Sequence, residues 1–91
     1  MLETSKTIET KIGSYPLLVT FKIPTPVEAE GITTDTKDTE IVKMFVTGIE
    51  SESLGITTGG ELINTPGALG AVREVALAVI KSMILEPEEK N

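Results

Sequence analysis

Carboxylates gather in one loop of this chain, where Asp35, Asp38 and Glu40 stand close together in a threonine-rich stretch. Oxygen donors so placed suit a hard cation, but a calcium loop of the EF-hand type needs donors at alternating positions, a glycine at the sixth and a glutamate at the twelfth. The spacing here fails that template, and Lys37 sits inside the cluster. The plainer expectation is a solvated loop that supplies a helix cap; a small ligand- or metal-binding domain using the acidic 35–40 loop stands beside it as an alternative. Thr57-Thr58-Gly59-Gly60 is a second place to look, because glycines let backbone N–H groups turn toward a phosphate. It lacks the lysine and the spacing of a P-loop, so a plain connection is the simpler reading.

With no cysteine and no histidine in the sequence, disulfide frameworks, thiolate nucleophiles, the usual zinc sites and imidazole acid–base catalysis are all excluded. Serine, threonine and lysine remain as nucleophiles, yet nothing pairs any of them with a base. The expectation is therefore a protein that is not an enzyme, with no catalytic residue, no metal ligand and no cofactor.

The elements that must carry these residues are few, because 91 residues suit one domain at roughly 100–200 residues per domain. A single domain over 1–91 is expected, with 1–5 and 86–91 frayed. Hydrophobic residues make up 40% of the chain and aromatics only 3%, namely Tyr15, Phe21 and Phe45, so the core must be aliphatic. Fourteen acidic residues against eight basic ones give a net charge of −6, which opposes binding to phosphate backbones and anionic bilayers. No nucleic acid and no membrane are expected as partners. The N-terminus has neither a basic nor an apolar leader segment, and the most apolar run, Val75 to Leu85, contains Lys81 and is too short to span a bilayer. A cytoplasmic location is the expectation.

Two apolar runs flank Gly13-Ser14, and glycine at the first central position is what a two-residue type II′ hairpin turn requires. Pairing across that turn sets Ile12 opposite Tyr15, Thr10 opposite Leu17 and Ile8 opposite Val19. Ile8, Ile12, Tyr15, Leu17, Val19, Phe21 and Ile23 then share an apolar face, and Thr7, Glu9, Lys11, Thr20 and Lys22 share the wet one. Pro16 removes one backbone donor and belongs at an edge. Ile23-Pro24-Thr25-Pro26 stops the strand, after which Thr25 and Glu28 form a capping box for a short helix from Pro26 to about Glu30, closed by Gly31. A second helix, capped by Asp38, is expected to run to about Ser51, with a strand over 41–47 as the competing reading. Glu61 to Asn64 suits a single helical turn. Thr65-Pro66 repeats the cap-and-proline signal and opens the longest helix, expected over Pro66 to about Leu85.

That last helix has an unusual wheel. Gly70, Arg73, Glu74, Leu77 and Lys81 make one narrow stripe, while Leu69, Val72, Ala76, Val79, Ile80 and Met83 lie to one side and Ala71, Val75, Ala78 and Ser82 to the other. An ordinary surface helix has an apolar stripe somewhat over 100° wide, and this one is apolar over far more. Either it is the central element of the domain, or part of it packs on another chain; Leu77, Ile80 and Ile84, beside Arg73 and Lys81, make the side a partner would cover.

The order of a one-faced hairpin, the turn Ile23-Pro24-Thr25-Pro26-Val27-Glu28 and helices joined by short loops resembles the small tail assembly chaperones of tailed bacteriophages. The shared motif is the Pro-Thr-x-x-Glu turn. The resemblance implies a non-enzymatic protein that binds a tape-measure protein or a tail tube subunit during assembly, and it transfers no functional residue. Residues and resemblance together lead to an α+β fold, an N-terminal β-hairpin packed on two or three helices with the longest C-terminal. They also lead to an acidic protein–protein interaction module, self-associating as a homo-oligomer or bound to a larger protein partner.

Overall fold

The computed structural model describes residues 3–83. Its architecture is α+β, with a three-stranded antiparallel sheet in the order β1-β2-β3 covered on one face by helices. The hairpin joins β1 (Ser5–Ile12) to β2 (Tyr15–Lys22) with Ile12 opposite Tyr15, Thr10 opposite Leu17 and Ile8 opposite Val19, the register read from the sequence. Gly13 takes φ +64° while Ser14 keeps a negative φ, the pattern of a type II′ turn. The Ile23 N–H donates to the Thr4 carbonyl at 2.9 Å, so pairing begins at the edge of the segment expected to fray, and β1 itself takes in Ser5. That bond also shows which pairs exchange hydrogen bonds: even positions of β1 with odd positions of β2. Lys11 opposite Pro16 is a non-bonded pair, and the missing proline donor takes nothing from the β1–β2 ladder.

β2 is the central strand, and Leu17, Val19 and Phe21 are completely covered. Tyr15 is not: at the hairpin tip it is half exposed, because no helix reaches that far, and this corrects its place in the expected apolar face. Ile8 and Ile23 are partly buried against the core.

Helix α1 (Pro26–Glu30) forms as read, with the Glu28 N–H donating to Thr25 Oγ1 at 3.2 Å and the Thr25 N–H donating to Glu28 Oε1 at 2.9 Å. The second predicted helix is two elements. Helix α2 (Asp38–Phe45) stops after Phe45, and Val46–Glu50 continue as β3, which pairs with β2 through Leu18–Glu50, Val19–Ile49 and Thr20–Gly48. The helix expected to about Ser51 holds only through Phe45, and the competing strand over 41–47 is met only at Val46 and Thr47. Val46 and Thr47 are β-branched and Gly48 is the weakest ordinary helix former, so the second half gains more by completing the sheet. A bulge takes up Thr47, whose hydroxyl donates to the Thr20 carbonyl at 3.3 Å. The cap of α2 also differs, since Lys37 is the N-cap and Asp38 is already inside the helix.

Helix α3 (Gly59–Ile63) leads into α4 (Leu69–Ser82). α4 starts later than Thr65-Pro66 suggested, because Gly67 at φ +82° interrupts the chain and the Thr65 hydroxyl donates backward to the Glu61 carbonyl at 2.8 Å instead of capping forward. Its expected last residues, 84–85, lie outside the described residues. α4 packs on β1, β2 and the flank of α2, burying Ala71, Val72, Val75, Ala76, Val79 and Ser82. It joins the hairpin to α2.

Candidate functional site

Neither of the two polar candidates assembles into a site. Glu40 sits in the first turn of α2, where its carboxylate accepts from the Lys37 N–H at 3.1 Å, and the Asp35 N–H turns to Thr33 Oγ1 at 3.2 Å. Among the described residues no three potential ligands converge to hold a metal ion.

The Thr57–Gly60 loop does wrap an anion, but the anion belongs to the chain. Glu61 Oε1 accepts from the Thr57 N–H at 2.7 Å, the Thr57 hydroxyl at 3.2 Å and the Thr58 N–H at 3.3 Å, while the Glu61 N–H donates to Thr58 Oγ1 at 3.1 Å. This is a second Thr-x-x-Glu capping box, visible in the sequence yet overshadowed by the neighbouring glycines. The Thr57 N–H, more than any other contact, holds the Glu61 carboxyl below its usual value of 4.5. Glu28 is lowered likewise, first by its contact with Lys22 Nζ at 2.6 Å and then by the Thr25 N–H. Gly59 serves packing: a Cβ there would stand 2.8 Å from the Val42 carbonyl oxygen and 3.1 Å from Val46 Cβ.

The interaction surface expected on the C-terminal helix has a definite form. Arg73, Leu77, Ile80 and Lys81 all face away from the sheet and from α2, with Leu77 51% and Ile80 38% exposed. Ile84, the fifth expected member, lies outside the described residues. Leu69, one turn before Arg73, is 60% exposed and extends the same apolar side. Among the described residues neither Arg73 nor Lys81 makes an ion pair. Glu74, at the border of this face, receives a hydrogen bond from the buried Thr10 hydroxyl of β1 and ties helix to sheet. The stripe therefore has a fixed position on the core.

Another exposed apolar residue lies on the open face of the sheet. Leu18 points out of the uncovered sheet face, 43% exposed, with Glu9 opposite it on β1 and Glu50 opposite it on β3. Together with Pro16 and Glu52 they line a shallow groove. Nothing in the wet-face reading of the hairpin singled out Leu18; the signal available was an apolar residue at the alternation position shared by Thr20 and Lys22. Comparison of the chain with known proteins found no matching family model, no similar curated protein and no matching solved structure.

Proposed function

We propose that this chain is a non-catalytic protein–protein interaction module of the cytoplasm, and that the outer face of α4 is its contact surface. The observation that carries the proposal is the exposure of Leu77 and Ile80 between Arg73 and Lys81, on a helix whose remaining apolar residues mostly serve the core. Apolar side chains rimmed by charges are the usual composition of a recognition patch. Among the described residues the two carboxyls with displaced titration are both cap residues, held by neighbouring backbone or by Lys22; their perturbation has a structural cause and calls for no chemistry. Service as a tail assembly chaperone, implied by the order of hairpin, Thr25–Glu28 turn and helices, is a narrower form of the same proposal, with a tape-measure protein or tail tube subunit on this face.

The test is sedimentation or light scattering of the full chain over a wide concentration range. Association is expected, and Leu77→Asp combined with Ile80→Asp is expected to remove it with the circular dichroism spectrum unchanged. A strict monomer at high concentration that also fails to bind an apolar dye would reject the proposal. Replacing Asp35, Asp38 and Glu40 together should leave association intact, whereas loss of a bound ligand or ion in that variant would favour a binding domain instead.

A further inference from the structure

Two of the exposed leucines, Leu18 and Leu77, sit in matching surroundings of opposite sign. On the open sheet face, cross-strand pairing puts Glu9, Leu18 and Glu50 in one row, and with strands about 4.8 Å apart the row is about 10 Å long. On α4, Arg73, Leu77 and Lys81 are four residues apart along one side, and at 1.5 Å per residue that row is about 12 Å long. Each row is a leucine between two like charges. One is anionic and the other cationic, and the small difference in length is within the reach of flexible arginine and lysine side chains.

The rows cannot meet within one molecule. α4 packs beneath β1 and β2 on the buried face of the sheet, whereas Leu18 points from the opposite face. We infer that the chain assembles head to tail with copies of itself, the outer face of α4 of one copy lying across the open sheet face of the next. Leu77 then covers Leu18, and Arg73 and Lys81 reach Glu9 and Glu50. This rests on the reading of the α4 face as an interface, and it names the occupant as a second copy because both halves of a charge-complementary contact are on one chain. Ile80, beside Leu77, adds apolar cover over the neighbouring Pro16. Lys11 also stands on the sheet face, opposite Pro16 and one row from Leu18, but Glu52 lines the same groove and the groove stays acidic. A contact between two different faces is heterologous, and it grows into a ring or an open filament rather than stopping at a twofold dimer.

Charge reversal tests this directly in the full-length chain. Glu9→Lys with Glu50→Lys, and separately Arg73→Glu with Lys81→Glu, should each abolish association at concentrations where the wild type sediments as species beyond the dimer. An equimolar mixture of the two variants should associate again, since each supplies the face the other now matches. All four substitutions in one chain should also restore association; that variant has the wild-type net charge of −6, two gained and two lost positive charges cancelling. Folded variants that stay monomeric when mixed would overturn the inference. Unchanged association of the Glu9→Lys/Glu50→Lys chain would do so too, and if Leu77→Asp still blocks that association the α4 face remains an interface for something other than the sheet. Should the charge variants fail to fold, Leu18→Ser provides the same reading, with loss of association expected and full retention contradicting it. A wild type that is monomeric throughout overturns this inference, and it rejects the interaction module as well only if the chain also fails to bind an apolar dye.

Discussion

The two sides of α4 differ in size as well as in polarity. Its covered side is built from Ala71, Val72, Val75, Ala76, Val79 and Ser82, none larger than valine, while Leu69, Leu77 and Ile80 are left outside. Most surface helices put their largest aliphatic residues inward, where burial contributes most. Here small inward residues let the helix lie close to both the hairpin and α2, and the bulk inside comes from Phe21, Leu17, Ile41 and Leu62 on the elements around it. The larger apolar residues of α4 have no room on that side. The contrast separates residues that hold the fold from residues that are free to meet another chain.

Placing one carboxylate on each side gives the largest expected difference. Val75→Asp buries a charge at a position with no exposure and should destabilise the fold by more than about 3 kcal/mol. Leu77→Asp, two positions further on, should change stability by no more than about 0.5 kcal/mol while it weakens association. Thermal melts of the two variants compare them; similar losses of stability would mean that the outer side is part of the core.

A smaller effect tests whether close approach governs the whole helical layer. Gly59→Ala must move the Val42 carbonyl or the Val46 side chain, and overpacking of this kind costs about 1–3 kcal/mol. A denaturant midpoint equal to that of the wild type would show that α2 and α3 yield easily.

Acid should produce the smallest change, because nothing on the covered side of α4 titrates. Glu28 and Glu61 have folded-state pKa values below their ordinary 4.5. Their contribution is full at any pH above that value and is lost as pH falls through the folded values. Stability should accordingly hold from neutrality down to about pH 5 and decline below about 4.5, and Thr58→Ala, which removes one cap hydroxyl, should cost about 1 kcal/mol. A variant lacking both glutamates that melts with the same acid dependence as the wild type would assign the decline to other carboxyls.

How much of this was legible beforehand depends on whether the signal was local. The hairpin register follows from Gly13-Ser14 and strict alternation, and the Thr25 cap from four adjacent residues. Leu77 and Ile80 were readable as exposed because helical spacing alone sets them beside Arg73 and Lys81. β3 was not separable from α2, since Val42, Val46 and Ile49 keep a helical period while their β-branched side chains favour a strand, and only pairing with Leu18 to Phe21 decides between them. The start of α4 was misplaced for a similar reason. Thr65-Pro66 has the composition of a cap, but the Thr65 hydroxyl is occupied by Glu61 of the preceding helix. The acidic half of the proposed contact was legible only in part: the hairpin register sets Glu9 opposite Leu18, but Glu50 joins them only through the pairing of β3.

The bond from Thr10 to Glu74 links positions 64 residues apart, and it has a bearing on how the molecule is made. During synthesis the hairpin can form as soon as its own residues emerge, but the helix that covers its apolar face is the last of the described elements to be translated. At roughly 5–20 residues per second that interval is about 3–13 s. Until then the face of Leu17, Val19 and Phe21 lacks the helix that covers it in the finished fold.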